Sequence, residues 1–285
     1  MNVVIPKIKS PLRYPGGKTR ALKQIIPIVP DFREFREPMV GGGSVFFSFK
    51  QLRPGAKFWI NDVNKELFLF WKYCKEAVDE LVEEIKKIKM EKLNGKELHL
   101  ELLDESKNRS DFQRAVRFFI LNRITFSGLA ESGGYSEMAF YQRFTNSSID
   151  RLKKALEVLE DVEITNQDYK KLLIEPGEDV FIFLDPPYYS TTKSKLYGKR
   201  GCLHEAFDHE KFAKDMKECK HKWLITYDDC PEIRELFKFA NMYTWQVQYG
   251  MNNYKQKSAA KGNELFISNY EIDVLGDNKI REVCS

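Results

Sequence analysis

An α/β protein with a doubly wound, largely parallel sheet is the fold this sequence predicts, and three observations predict it. Short apolar runs with strand character alternate with segments of helical period along most of the chain. The stretch "EPMVGGGSVFF" reads as strand, glycine turn and helix, a connection in which the backbone approaches a ligand without a Cβ in the way. The run Val180 to Leu184 is uniformly apolar, as a strand covered on both faces must be, and two prolines stop it at once. In sheets of this kind ligands bind beyond the carboxyl ends of the strands.

The elements follow in order. "FREFREPMV" is the first strand, with "GGGSVFFSF" turning into a helix, and "KFWIND" is the second strand, ending in polar residues. "EAVDELVEEIKKIKMEKL" carries Val78, Leu81, Val82, Ile85 and Ile88 at helical spacing, and "DFQRAVRFFILNRI" is a further helix. "SGLAESGGYSEMAF" is rich in small and turn residues and reads as an exposed loop or hairpin. Alternation resumes with the strand in "VEITNQD", the strand before "DPPY", the helix "HEKFAKDMKECK", the strand "KWLITYDD" and the helix "CPEIRELFKFA", with Pro231 near its start. "YTWQVQYGM" and "NELFISNY" close the sheet as an antiparallel pair. The stretch 63–150 interrupts the alternation and reads as a mainly helical insertion. Residues 1–62 and 151–285 are then one discontinuous domain around it.

Composition narrows the class. The 285 residues are 42% hydrophobic and 31% charged, which suits a soluble globular chain with a sizeable core. No apolar run approaches the roughly 20 residues of a membrane span. The N-terminus lacks a secretion-signal core, so a cytoplasmic location is the default. Five scattered cysteines (Cys74, Cys202, Cys219, Cys230 and Cys284) lack metal-ligand spacing, so no metal is expected. The net charge is only +4, but basic residues cluster: Lys7, Lys9, Arg13, Lys18, Arg20 and Lys23 with no acid before residue 30, then Lys193, Lys195, Lys199 and Arg200, then Lys255, Lys257 and Lys261. Such clusters are either solvated surface or a face that tracks phosphates.

Three short motifs bear on chemistry. "PGGKT" resembles the end of a phosphate-binding P-loop, but the first glycine of that motif would fall at Leu12 and no strand precedes it. Asp62, at the end of the second strand, is placed to accept hydrogen bonds from ribose hydroxyls. "DPPY" combines a carboxylate (Asp185), a carbonyl that the following proline leaves free (Pro186) and an aromatic ring (Tyr188). That set suits an exocyclic amino group on a planar base: two acceptors for its two hydrogens and a ring to stack on.

The ordered set "RYPGGK", "EPMVGGGSVFF", "INDVN", "NQDY", "FLDPPY" and "ELFISNY", running from Leu12 to Tyr270, resembles the Dam-like DNA adenine N6-methyltransferases. The tetrad alone is shared with families that methylate other amino groups, adenine in RNA or N4 of cytosine among them. A nucleotide hydrolase or a non-catalytic DNA-binding module is the alternative of a different class. The resemblance implies a Rossmann-like S-adenosylmethionine-dependent methyltransferase sheet with 63–150 as an inserted target-recognition domain. It implies Tyr14, Lys18, Gly41, Gly43, Asp62, Asp168, Tyr169 and Asp185 as cofactor-binding residues. Asp185, Pro186 and Tyr188 are the implied catalytic set.

In the chemistry so implied, hydrogen bonds to Asp185 and the Pro186 carbonyl draw the amino nitrogen toward a tetrahedral, attacking geometry and stabilise its developing positive charge. The target base leaves the duplex to reach the site. "LNRITFSGL" resembles the family's DNA-contact segment, making Arg123 and Ser127 candidates for the target strand, with Lys193 and Lys195 on phosphates. Glu131 stands where GATC-specific members carry arginine. Glutamate favours a cytosine amino group and cannot read guanine bidentately, which argues against that site. The expected partners are double-stranded DNA and, in a restriction-modification role, a cognate endonuclease. A monomer is the default.

Overall fold

The computed structural model describes residues 6–130, 132–189, 207–248, 261–273 and 280–283. Among the described residues eight strands form one sheet: β1 (Glu34–Glu37), β2 (Lys57–Asn61), β3 (Glu163–Thr165), β4 (Val180–Leu184), β5 (Lys222–Asp228), β6 (Asn241–Gln248), β7 (Lys261–Ser268) and β8 (Ile280–Glu282). Their order is β3-β2-β1-β4-β5-β7-β6-β8. The first five run parallel, and β7, β6 and β8 add antiparallel partners. The chain winds outward from β1 to β3, then returns to the middle and winds the other way. The reversal places a crevice at the carboxyl ends of β1 and β4.

Burial explains why β4 reads as an unbroken apolar run: all five of its residues are buried. Phe181 and Phe183 join Phe35, Phe46 and Phe58 in the core on one face of the sheet. Ile182 and Leu184 join Trp223, Ile225 and Phe212 on the other. The second core is covered by α10 (His209–Glu218) and α11 (Pro231–Leu236).

The predicted insertion is helical: α3 (Lys65–Glu76), α4 (Val78–Glu91), α5 (Gly95–Leu103), α6 (Asp111–Ile124), α7 (Glu137–Arg143) and α8 (Asn146–Leu159). It shares the core of the sheet. Trp71 of α3 packs on Phe47, with ring centroids 5.7 Å apart, and Phe70 stacks on Phe119 of α6 at 5.9 Å. The expected division after residue 150 falls inside α8, whose Ile149 and Leu152 are buried in that same core. The stretch read as loop or hairpin is helical from Glu137, because the Ser136 side chain accepts the Ala139 N–H and starts α7. A bridge between Thr125 and Tyr135 closes the segment before it. Two other short helices, α1 (Leu22–Ile28) and α9 (Lys170–Ile174), and the three-residue β8 were not anticipated. No helix among the described residues is long and apolar enough to cross a membrane.

Candidate active site

A cleft of about 1430 Å³ opens at the carboxyl ends of β1, β2 and β4. Its floor is the turn between β1 and α2 (Ser44–Leu52). Gly41 and Gly43 hold φ of +48° and +68°, in the left-handed region, and a Cβ on Gly42 would come within 2.5 Å of Tyr14 Cβ. The Tyr14 ring therefore lies directly on the glycine turn, and a Cβ on Gly41 would sit 2.9 Å from its Cε1. Neither glycine has room for a side chain while Tyr14 is in place. Asp62, just past β2, accepts the Gly41 N–H at 3.0 Å and the Asn64 N–H at 3.0 Å, so its carboxylate fixes the turn from the neighbouring strand.

Lys18 does not sit in a phosphate loop. It opens a short 3-10 turn, and its Nζ lies 2.7 Å from the Asp185 carboxylate and 3.0 Å from the Gly16 carbonyl. Thr226 of β5 donates to Asp185 Oδ1 at 2.7 Å. Two donors thus hold the tetrad carboxylate before any base arrives. Pro186, Pro187 and Tyr188 continue around the cleft wall. The Lys18 ammonium stands 5.0 Å from the Tyr188 ring centroid, and the Tyr188 phenol donates to Glu264 Oε2 at 2.6 Å. The next residue, Tyr189, donates its N–H to Asp228 at 2.9 Å.

At the far side, Asp168 and Tyr169 both line the cleft. Asp168 accepts the Lys170 N–H at 2.9 Å. The Tyr169 phenol donates to Asp215 of α10 at 2.8 Å, and Asp215 also takes Lys170 at 2.6 Å and Lys211 at 3.2 Å. Burial would raise the Asp215 carboxyl, but those hydrogen bonds outweigh it and hold the group below the usual carboxylate range. Burial pushes the Tyr169 phenol well up. Glu37 closes β1 almost fully buried, and its Oε2 finds no partner among the described residues. Burial first, and then the Asp185 charge, push its carboxyl well above the usual range.

The insertion reaches the cleft through Ser127 and Leu129. Ser127 is exposed with φ of +55°, an unusual backbone for a residue with a side chain. Phe126 beside it is 60% exposed. Arg123 is elsewhere. It is 3% exposed, its guanidinium lies 5.2 Å from the Phe119 ring, and its Nε has no acceptor among the described residues. Burial, with Arg13, Arg151 and Arg143 nearby, lowers its pKa to about 9. The surface ion pair that an arginine near a helix end ordinarily makes is not what this residue forms. Asn122, fully buried, ties the insertion to the N-terminal arm. It accepts the Arg13 N–H at 3.1 Å and donates to the carbonyls of Arg13 (2.6 Å) and Gly128 (2.8 Å). Lys193, Lys195 and Glu131 lie outside the described residues.

The cleft thus gathers Tyr14, Lys18, Gly41, Gly43, Asp62, Asp168, Tyr169, Asp185, Pro186, Tyr188 and Ser127, while Arg123 stays outside its lining. Sequence reading missed Thr226, Glu264, Asp215, Glu37 and Asn122. Of these, Glu37, Glu264 and Asn122 lay in motifs quoted for the resemblance, "EPMVGGGSVFF", "ELFISNY" and "LNRITFSGL", without being singled out.

The cleft thus sets a carboxylate held by two donors, the Pro186–Pro187 turn and the Tyr188 ring on the same wall as the glycine turn. A family model for D12 class N6 adenine-specific DNA methyltransferases matches residues 14–251. A type II methyltransferase of Lactococcus lactis subsp. cremoris is 26% identical over 277 residues, spanning 90% of this chain and 94% of that protein. A type II methyltransferase of Methanocaldococcus jannaschii is 30% identical over 210 residues, 67% of this chain and 73% of its own. A DNA adenine methylase of Vibrio cholerae is 26% identical over 240 residues, 81% and 85% respectively.

Proposed function

The chain belongs to the D12 class of N6 adenine-specific DNA methyltransferases, and from that premise we propose that it takes its methyl group from S-adenosylmethionine, flips the target adenine into the cleft and holds it on the Asp185 tetrad. The observation that carries this reading is the position of Asp185. It stands between Lys18 and Thr226, at the mouth of β4, on the same cleft as the glycine turn.

The residues present fit such a donor. The turn at Gly41 and Gly42 carries no side chain of its own and is covered by Tyr14, and Asp62 follows the adjacent strand. Lys18, Asp62, Asp168 and Tyr169 would hold the donor. When bound, S-adenosylmethionine supplies an electrophilic methyl on a positively charged sulfur. The protein's own part is positional and electrostatic. Asp185 and the Pro186 carbonyl accept the two amino hydrogens of adenine, and Thr226 keeps the carboxylate from rotating away. Tyr188 stacks on the base. Phe126, exposed next to Ser127 at the cleft, is the apolar side chain placed to fill the gap that the flipped base leaves in the duplex. The helices of 63–150 carry target recognition, and the Arg123 guanidinium takes a backbone phosphate.

Incubating the protein with labelled S-adenosylmethionine and DNA copied in vitro without methylation tests the donor and the substrate together. Modification-aware sequencing of the product gives base, atom and site. N6-methyladenine at one short motif is the expected product, and label on cytosine would overturn the base assignment. Lys18→Ala is expected to weaken binding of S-adenosylhomocysteine about tenfold, the worth of one charge-assisted hydrogen bond, as read by calorimetry. Unchanged affinity would confine Lys18 to its partners within the protein, Asp185 and the Gly16 carbonyl.

A further inference from the structure

The motif "ELFISNY" joins the family resemblance without a role, and its first residue makes the shortest hydrogen bond to the tetrad among the described residues. Glu264 lies on β7 directly opposite Asp228 of β5, at the same end of the sheet as the tetrad. It is 2% exposed and lines the cleft. Its Oε2 accepts the Tyr188 phenol at 2.6 Å.

We propose that Glu264 is a positioning residue for methyl transfer, which fixes the Tyr188 ring through its hydroxyl and enriches the π-face that meets the target base; the proposal rests on Tyr188 stacking on that base. Two physical effects follow from the one hydrogen bond. A tyrosine ring swings about χ1 and spins about χ2, and anchoring the oxygen to a buried strand removes the swing before the base arrives. A phenol that donates to a carboxylate also gains partial phenolate character, because hydrogen-bonded groups polarise one another in a low-dielectric site. The ring then becomes a better partner for positive charge. Such charge appears on the adenine as its amino nitrogen is alkylated, and is smaller in the bound ground state. The Lys18 ammonium, 5.0 Å from the ring centroid, shows that the ring already faces a cation on the cleft side. An interaction that strengthens as the transition state forms acts on the rate of transfer and leaves cofactor binding alone.

The test is a double-mutant cycle on the full-length protein, with unmethylated amplified plasmid DNA and labelled S-adenosylmethionine. Glu264→Gln keeps the shape and an acceptor oxygen but removes the charge. It is expected to slow single-turnover transfer about tenfold while the cofactor KM stays within about twofold. In a Tyr188→Phe background, where no phenol remains to polarise, Glu264→Gln should slow nothing further. Glu264→Asp, which keeps the charge but draws it back by one methylene, runs the same cycle if the Gln variant fails to fold. Multiplicative effects in the double variant, or a raised cofactor KM with an unchanged rate, would overturn the role of Glu264. A Tyr188→Phe enzyme as fast as wild type would overturn that role too, since phenylalanine stacks without the phenol; a Tyr188→Ala enzyme as fast as wild type would instead overturn the stacking role on which the proposal rests.

Discussion

Asp185→Ala is expected to lower single-turnover methyl transfer by about a thousandfold or more, with the protein still folded. Transfer is lost because one side chain does two things. It accepts an amino hydrogen, and it faces the positive charge that grows on the nitrogen. Removing one preorganised electrostatic partner of a transition state commonly costs two to three orders of magnitude, roughly 2.7–4 kcal/mol, and here the acceptor is lost as well. The fold survives because Asp185 is partly exposed, at 23% of its side-chain surface, and lies at a strand end outside the core clusters. What it leaves behind is a Thr226 hydroxyl and a Lys18 ammonium short of one partner, a cost of about 1–3 kcal/mol. Circular dichroism should therefore show a cooperative transition at a modestly lower temperature. Activity within tenfold of wild type would sink the assignment of Asp185.

Arg123→Met should raise the melting temperature and weaken DNA binding in the same protein. The guanidinium is nearly fully buried, has no carboxylate partner among the described residues, and shares its surroundings with three other arginines. Its pKa of about 9, below the value of a free arginine, means that the charged form is disfavoured in the folded state. At neutral pH the group is charged both folded and unfolded, so the full penalty is present there; it is relieved only as pH rises through that folded value. A methionine of similar length keeps the packing on Phe119 and drops the charge. Replacing buried charges by apolar groups is often stabilising by about 1–4 kcal/mol. Such a penalty makes sense if a phosphate supplies the missing partner. Fluorescence anisotropy should show affinity for duplex DNA falling about tenfold, with the salt slope reduced by about one. A lower melting temperature with unchanged DNA affinity would mark Arg123 as a structural residue.

Much of this was legible in the sequence because its causes are local. The uniform apolar character of 180–184 announces a central strand, and the two prolines after it announce its end. The glycine turn is legible because only glycine tolerates what Gly41 and Gly42 face. Thr226, Glu264 and Asp215 were illegible because their roles depend on which strand lies beside which: Glu264 reaches Tyr188 only through the antiparallel placement of β7 on β5. The burial of Arg123 was illegible for another reason. Its helix α6 buries residues all round, among them Ala115, Phe118, Phe119, Leu121 and Ile124, so a polar residue near its end is not on a solvent face. The short helix α9 and the strand β8 span too few residues for a period to show.

The clasp at Asn122 also sets a folding order. Arg13 meets its partner 109 residues further along the chain, and Lys18 meets Asp185 across 167. The arm around Arg13 and Lys18 is thus the last to find its place, since α6, β4 and β5 must already be assembled to receive it. Loop-closure entropy is paid before those contacts repay it. Refolding followed by pulsed hydrogen exchange should therefore show the arm amide of Arg13 protected after those of β4. Protection of that amide ahead of the sheet would contradict this order. Competence for methylation would then report that the whole chain has folded.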